Sequence, residues 1–179
     1  VHRKKVYGVV KVHEDGSAFF TAPADQNLLF QALDKDFMAL QQMSTFINLM
    51  PGENRSCVGC HERRKKAPSL AGTRPTALKH PPQKLTFQPG DTGVRVVDFV
   101  VDVQRTIDKH CLGCHSGKNA KGNLDLDGVP FGKFSRSYNN LTSNGLINYR
   151  ACQSGSAHVE AVPPLTHGAI LSKLIEQIG

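Results

Sequence analysis

Short runs of apolar residues separated by turn signals dominate the first fifty residues of the chain. Residues 4–13 and 17–21 are rich in valine and phenylalanine, and the Glu-Asp-Gly-Ser sequence at 14–17 is typical of a turn between strands. Residues 27–33 are a third strand candidate. A two-residue alternation favours a strand over a helix in residues 38–49, at Met43, Thr45, Ile47 and Leu49. This pattern predicts a small antiparallel β module.

The pattern changes near residue 94 to helical spacing. Apolar residues recur there on one predicted helix face, and Asp98 is a candidate N-cap. The positions on that face are Val97, Val100, Val101, Ile107 and Cys111. A strand or loop over 123–128, one or two helical turns over 134–141 and a final helix over 169–178 follow. The predicted fold class is therefore α+β.

Five of the ten prolines lie between these halves, in residues 67–93, where apolar periodicity is weak. This composition predicts an extended linker. We therefore divide the chain into a β module (residues 1–66), a proline-rich linker (67–93) and a mainly helical module (94–179). A chain of 179 residues suits one domain or two small ones.

The pentapeptide Cys-x-x-Cys-His occurs twice, as CVGCH at residues 57–61 (the first motif) and as CLGCH at residues 111–115 (the second motif). This spacing is the attachment signature of a c-type haem. Two thiols one helical turn apart can each form a thioether bond to a porphyrin vinyl group, and the adjacent histidine can bind the iron. We therefore expect two covalent haems. The predicted attachment residues are Cys57, Cys60, Cys111 and Cys114, and the predicted iron ligands are His61 and His115.

Zinc and thiol chemistry explain the two motifs less well. The ligand pairs of zinc ribbons usually lie closer together along the chain, and zinc does not require a histidine after both pairs. A thioredoxin-like pair would begin a helix in a βαβ unit, which the pattern around these motifs does not resemble.

Composition agrees with a fold that depends on its cofactor. Only 39% of residues are hydrophobic, 7% are aromatic and tryptophan is absent, so the protein core is modest. Each porphyrin would add a large apolar body for side chains to pack against. The formal charge of +7 would fall to about +3 with the four propionates of two haems. We therefore interpret the basic runs at 3–5 and 63–66 as propionate partners and surface, and we expect no nucleic-acid partner.

No run approaches the ~20 apolar residues of a membrane span, so no membrane span is expected. The chain begins at Val1 within a predicted strand, which suggests a processed or trimmed N-terminus. Covalent haem attachment is normally completed outside the bacterial or archaeal cytoplasm. The expected location is therefore periplasmic or extracellular.

Six stretches of the chain, taken in order, resemble the middle and C-terminal parts of hydrazine synthase alpha-subunit-like proteins. The stretches concerned are YGVVKVHEDGSAFFTAPADQNLLFQALDKDFMALQQM, MPGENRSCVGCHE, DVQRTIDKHCLGCHSG, GNLDLDG, FSRSYNNL and PPLTHGAILSKL. The resemblance implies a dihaem c-type cytochrome in which a small β-sandwich-like module carries the first haem and a mainly helical, cytochrome c-like module carries the second. In hydrazine synthase a tyrosine two residues after the motif histidine binds the catalytic haem. That position is Arg63 here, so we do not extend the resemblance to hydrazine synthesis.

The sixth iron ligand decides whether a haem only transfers electrons or also reacts with small molecules. Six histidines lie outside the motifs: His2, His13, His80, His110, His158 and His167. His167 is the candidate for the second haem, because it follows the rigid Pro-Pro-Leu-Thr sequence at the start of the last predicted helix. For the first haem we favour His80, beside two prolines in the linker, over His13, His110 or a ligand from another subunit. Met38, Met43 and Met50 are better explained as core residues.

The primary hypothesis is an electron-transfer protein without substrate turnover of its own, acting on redox protein partners. One alternative is a self-assembling subunit of a conductive extracellular filament, because β modules have edges that can accept a strand. In that case the partners would be copies of the chain itself, in a homo-oligomer or polymer. The other alternative is a haem redox enzyme with one open iron. The fifth cysteine, Cys152, is interpreted as a buried structural thiol.

Overall fold

The computed structural model describes residues 4–43, 45–59, 74–148 and 163–178, in which short strand pairs are combined with short helices. The strands are β1 (Lys4–Val6), β2 (Asn27–Leu28), β3 (Gln31–Leu33), β4 (Ala39–Gln42), β5 (Ile47–Asn48), β6 (Arg95–Val97), β7 (Pro130–Phe131) and β8 (Phe134–Ser135). The α-helices are α1 (Arg105–His110), α2 (Arg136–Ser143) and α3 (Lys173–Ile178). Four 3₁₀ helices are present at Thr76–Lys79, Gly117–Asn119, Lys121–Asn123 and Ala169–Leu171. The α+β prediction is confirmed, whereas a cytochrome c-like helical module stays a prediction.

The described strands pair two by two: β1 with β6, β2 with β5, β3 with β4 and β7 with β8. β2 and β5 are antiparallel, with Leu28 opposite Ile47, and Leu28 is only 5% exposed. The predicted strand over 27–33 is therefore two strands with different partners. The strand prediction for 38–49 is confirmed by β4 and β5.

The chain folds as two compact units. Among the described residues, the first unit contains residues 4–31 and 42–96, and the second contains residues 32–41, 97–148 and 163–178. Few side chains are fully buried in either of them. The buried apolar residues are Leu28 and Ala77 in the first unit, and Ile107, Leu126 and Leu141 in the second.

The described part of the proline-rich segment belongs to the first unit and pairs with residues between β1 and β2 through isolated bridges. Val9 and Thr86 exchange two backbone hydrogen bonds, of 2.7 and 3.0 Å. The backbone N–H of Gln83 donates to the Phe19 carbonyl oxygen at 2.8 Å. Gly8 permits this approach, because a Cβ atom there would lie 2.6 Å from the Thr86 carbonyl oxygen. Around residues 83–86 the segment is thus extended and its backbone is paired, whereas Thr76–Lys79 form a 3₁₀ helix.

The N-cap prediction for Asp98 is confirmed, although the element that it begins is not a regular helix. Its carboxylate accepts hydrogen bonds from the backbone N–H groups of Val100 and Val101, at 2.9 and 3.2 Å. The first turns, Phe99–Gln104, are π-helical and continue into α1. Because π turns rotate side chains away from α-helical positions, the two valines are 63% and 50% exposed. The prediction that these two valines lie on a buried apolar helix face is therefore wrong.

The final helix is shorter than predicted. Residues 169–171 form a 3₁₀ turn, Ser172 has extended backbone angles, and α3 begins at Lys173. Ser172 is 5% exposed, and its hydroxyl donates to the Gly168 carbonyl oxygen at 3.0 Å. This local hydrogen bond competes with a continuous helix, which explains the interruption.

No helix within the described ranges is long and apolar enough to cross a membrane.

Candidate functional site

The second motif forms one turn of chain directly after α1. Ile107, 7% exposed, packs with Leu126 and Leu141, and this packing fixes the end of the helix. The backbone N–H of Cys111 donates to the Ile107 carbonyl oxygen at 2.8 Å, and that of His115 donates to the Cys111 carbonyl oxygen at 2.9 Å. The predicted delivery of this motif by the end of a helix is confirmed.

Both cysteines of the second motif are free thiols. Cys111 is half-buried against the Ile107 cluster, and Cys114 is exposed. The backbone N–H of Cys114 donates to the Cys111 carbonyl oxygen at 3.1 Å, which holds the two residues in the same turn. This arrangement suits two thiols that react with two points of one planar group.

The ring of His115 is oriented by a backbone carbonyl group. Its Nδ1 atom lies 3.2 Å from the Leu124 carbonyl oxygen. Because a carbonyl oxygen only accepts, Nδ1 carries the proton and Nε2 keeps its lone pair. Histidines that bind metals usually donate their other N–H group to such a partner. The residues of the second motif therefore fit a haem.

Residues 124–128 (the 124–128 segment) supply that carbonyl group and are held close to the motif. The backbone N–H of Leu126 donates to the His115 carbonyl oxygen at 2.8 Å. Leu126 is 3% exposed, and its own carbonyl oxygen accepts from Gln104 Nε2 at 3.1 Å. The His115 ring and its partner thus belong to one hydrogen-bonded arrangement.

Gln104 connects the 124–128 segment to α1 and α2. This residue is 5% exposed, and its Nε2 also donates to Asp108 Oδ1 at 2.7 Å. Its Oε1 accepts from the hydroxyl of the fully buried Ser137. A Cβ atom at Gly128 would lie 3.2 Å from the Gln104 side chain, so the close approach of the segment favours glycine there.

Arg136 bridges two carboxylates of the same segment. Its Nη1 lies 2.9 Å from Asp125 Oδ2 and 2.6 Å from Asp127 Oδ2. The backbone N–H of Asp127, followed by Arg136, holds the pKa of Asp125 below its ordinary value, although partial desolvation opposes the shift. Both carboxylates therefore form ion pairs with the Arg136 guanidinium group.

His167 is also oriented by a neighbour. The Thr166 hydroxyl donates to the Pro163 carbonyl oxygen at 2.7 Å and lies 3.0 Å from His167 Nδ1. Since the hydroxyl proton is used by Pro163, Nδ1 is the donor to Thr166 Oγ1 and Nε2 is left with its lone pair. The half-buried ring is available as a ligand, and its role at the second haem stays a prediction.

The structure describes only the beginning of the first motif. Cys57 is an exposed free thiol, and Gly59 has a φ of 76°. Cys60 and His61 lie outside the described residues, as do His2, His158 and Cys152. His110, the last residue of α1, is exposed.

His80 lies beside another of the candidate ligands. Its ring stacks on that of His13, with centroids 5.4 Å apart and planes inclined by 7°. The two residues are 67 positions apart in the sequence, so no local pattern could have predicted this pair. Within the part of the chain that the structure describes, no three His, Cys, Asp or Glu side chains form a group suited to a bare metal ion.

Sequence reasoning missed most of the residues that orient His115. The Leu124 carbonyl group belongs to the backbone and leaves no signal in the sequence. Gln104 and Arg136 act through partners 22 and 9–11 positions away. The one available signal is the Asp-x-Asp-Gly sequence at 125–128, which places two carboxylates beside a glycine.

Comparison with known families gives a match over the first part of the chain. Residues 1–62 match the family model of the hydrazine synthase alpha subunit middle domain, which includes all of the first motif. This match supports the resemblance inferred from the sequence for about the first third of the chain. No curated protein and no solved structure matches the chain. The resemblance of the C-terminal part stays a prediction.

Proposed function

We propose that the protein is a dihaem c-type cytochrome that transfers electrons between redox partners in the periplasm or outside the cell. The observation that carries this proposal is the His115 ring. Its Nδ1 is held by the Leu124 carbonyl group, and its Nε2 is free to bind iron one residue after the second cysteine of a Cys-x-x-Cys pair.

The cofactor sites are assigned to the two motifs. Cys111 and Cys114 attach the second haem and His115 binds its iron; Cys57, Cys60 and His61 have the same roles for the first. A bound haem supplies reversible one-electron chemistry at its iron. The chain contributes the attachment points, the axial imidazoles and the hydrogen bonds that orient them.

The small number of buried apolar side chains supports a cofactor-dependent fold. In the described part of the second unit, only Ile107, Leu126 and Leu141 are both apolar and buried. Several large apolar side chains of that unit are half or more exposed: Val100, Val101, Val129, Phe131 and Ile178. A porphyrin would supply the apolar surface that this unit lacks.

Electrochemistry with motif variants tests the proposal. The matured protein should show two reversible one-electron waves. The double variant Cys111→Ser, Cys114→Ser should lose one of them, because the second haem can no longer attach. The matched variant Cys57→Ser, Cys60→Ser should lose the other. Two unchanged waves in either variant would contradict the assignment.

A haem redox enzyme with one open iron is the second candidate. The match of residues 1–62 to a hydrazine synthase domain favours it, because that range includes the first motif. Carbon monoxide separates the two candidates, since two irons closed by histidines should bind almost none after reduction. Binding of one carbon monoxide per protein would favour the enzyme.

The partners are proposed to be redox proteins or further copies of the chain. The described strands form only two-stranded sheets, so each strand has an edge without a strand partner. Analytical ultracentrifugation of the matured protein distinguishes a dispersed carrier from a self-assembling subunit.

A further inference from the structure

His13 and His80 form a stacked pair that the rest of the first unit holds in place. Their ring centroids are 5.4 Å apart and their planes are nearly parallel. His13 is half-buried and His80 is exposed. Neither ring forms a hydrogen bond with any residue that the structure describes, so the imidazole nitrogens have no protein partner there.

Hydrogen bonds on one side of the pair join the turn after His13 to the 3₁₀ helix before His80. Asp15 Oδ2 accepts from the Thr76 backbone N–H at 2.7 Å. Ser17 Oγ accepts from the Ala77 backbone N–H at 3.0 Å, and Ala77 is 2% exposed. The Ser17 hydroxyl in turn donates to Asp15 Oδ1 at 2.6 Å.

A second connection lies on the other side of the pair. Gln83 Nε2 donates to the Lys11 carbonyl oxygen at 2.8 Å, and Gln83 Oε1 accepts from the Lys11 backbone N–H at 3.1 Å. Hydrogen bonds therefore join the two segments on both sides of the ring pair: residues after His13 bind residues before His80, and Lys11 before His13 binds Gln83 after His80. The stacking of the two rings is therefore supported by the hydrogen bonds of both segments and is not a chance contact between two surface side chains.

Two stacked imidazoles cannot both bind the same iron atom. A histidine nitrogen binds a metal in the plane of its own ring, so parallel rings cannot direct their lone pairs at the same atom. A haem held by a motif histidine also has a single remaining axial position. One ring of the pair can therefore be a ligand, while the other packs against its face.

We propose that His80 is the axial ligand of the first haem and that His13 is a positioning residue, whose stacked ring fixes the orientation of the His80 imidazole. Two observations assign the roles: His80 is exposed whereas His13 is partly covered, and two prolines stiffen the chain after His80. Cys57, which begins the first motif, belongs to the same unit as the pair. This inference rests on the proposed dihaem function.

The test uses the matured full chain, with haem content measured by intact mass in every variant. His80→Ala should retain both haems, convert one from low spin to high spin, and bind one carbon monoxide per protein after reduction. Added imidazole should restore the low-spin spectrum, which shows that the variant is folded and lacks only a ligand.

The variants of His13 separate positioning from ligation. His13→Ala should leave both irons low-spin but shift the electron paramagnetic resonance g-values of one haem, because these depend on the orientation of the axial imidazole plane. His13→Phe, which keeps a flat ring without nitrogen atoms, should stay close to the wild-type spectrum. The matched control His110→Ala should change neither haem.

Several results would overturn the inference. Two low-spin haems in His80→Ala would exclude His80 as a ligand, and loss of the low-spin signal in His13→Ala or His110→Ala would assign the ligand elsewhere. Wild-type protein that binds one carbon monoxide would show an open iron. A polypeptide that carries no haem would instead contradict the proposed function itself.

Discussion

The Nδ1 atom of His115 lies 3.2 Å from the carbonyl oxygen of Leu124, nine residues further along the chain. This hydrogen bond sets the tautomer of the imidazole and leaves the Nε2 lone pair available for a metal, as the proposed haem requires. The Leu124 carbonyl group has a fixed position because Gln104 and Arg136 hold the 124–128 segment. The properties of the proposed second haem should therefore respond to Gln104 and Arg136, which act on His115 only through the 124–128 segment.

Arg136→Gln should raise the midpoint potential of the proposed second haem. Loss of the two ion pairs loosens the 124–128 segment and weakens the His115–Leu124 hydrogen bond, so the imidazole donates less electron density to the iron. A hydrogen bond of about 0.5–1.5 kcal/mol corresponds to roughly 20–60 mV for one electron. Spectroelectrochemical titration measures the shift.

Arg95→Gln is the matched control for this experiment. Arg95 also forms an ion pair, with Asp91 at 2.6 Å, but both residues belong to the first unit. The potential of the second haem should not change in this variant. Loss of a positive charge alone lowers a haem potential, so a lowered potential in Arg136→Gln, or equal shifts in both variants, would contradict an effect of His115 orientation.

Gln104→Leu should lower the free energy of unfolding by about 1–3 kcal/mol, because the buried Leu126 carbonyl oxygen would lose its side-chain donor and the Ser137 hydroxyl would keep only Ser135 as a partner. Chemical denaturation of the matured protein provides the measurement. The control is Gln177→Leu on α3, where the side chain is exposed, and there the change should stay within ~0.5 kcal/mol. A Gln104 variant as stable as that control would show that the buried amide is dispensable.

Asp15→Asn should destabilise the first unit in a pH-dependent way. The Ser17 hydroxyl and then the Thr76 backbone N–H hold the pKa of Asp15 below its ordinary value of 3.8. A carboxyl group whose pKa is lowered by folding adds stability above its unfolded pKa and loses that contribution as the pH falls. The stability difference between wild type and variant should be constant from about pH 7 to 5 and shrink below about pH 4.

Denaturation midpoints measured across this pH range test the prediction. Asp36→Asn is a suitable control, since that exposed carboxylate forms an ion pair with the adjacent Lys35, at 2.7 Å. A stability difference for Asp15→Asn that grows as the pH falls would have the wrong sign for this explanation.

His167→Ala should open the second haem to small ligands. If His167 Nε2 closes the iron opposite His115, its removal should leave that haem high-spin and able to bind carbon monoxide. The absorption spectrum of the reduced variant under carbon monoxide measures this change, with the first haem as an internal reference. No response of the second haem would exclude His167 as its ligand.

Local features of this protein were predictable from its sequence, and features that depend on distant contacts were not. The second motif at the end of a helix and the Asp98 cap follow from residues within a few positions of one another. The stacking of His13 on His80 and the bridge from Arg136 to two aspartates depend on how separate segments pack. The exposed Val100 shows a different failure, since a π turn changed the helical periodicity on which the prediction relied.

The intact mass of the matured, denatured polypeptide tests the central claim most directly, because thioether-bound haem stays attached when the fold is lost. The account predicts a mass equal to that of the 179-residue chain plus two haems, together with strong Soret absorption. A mass equal to that of the amino acids alone, without Soret absorption, would contradict it.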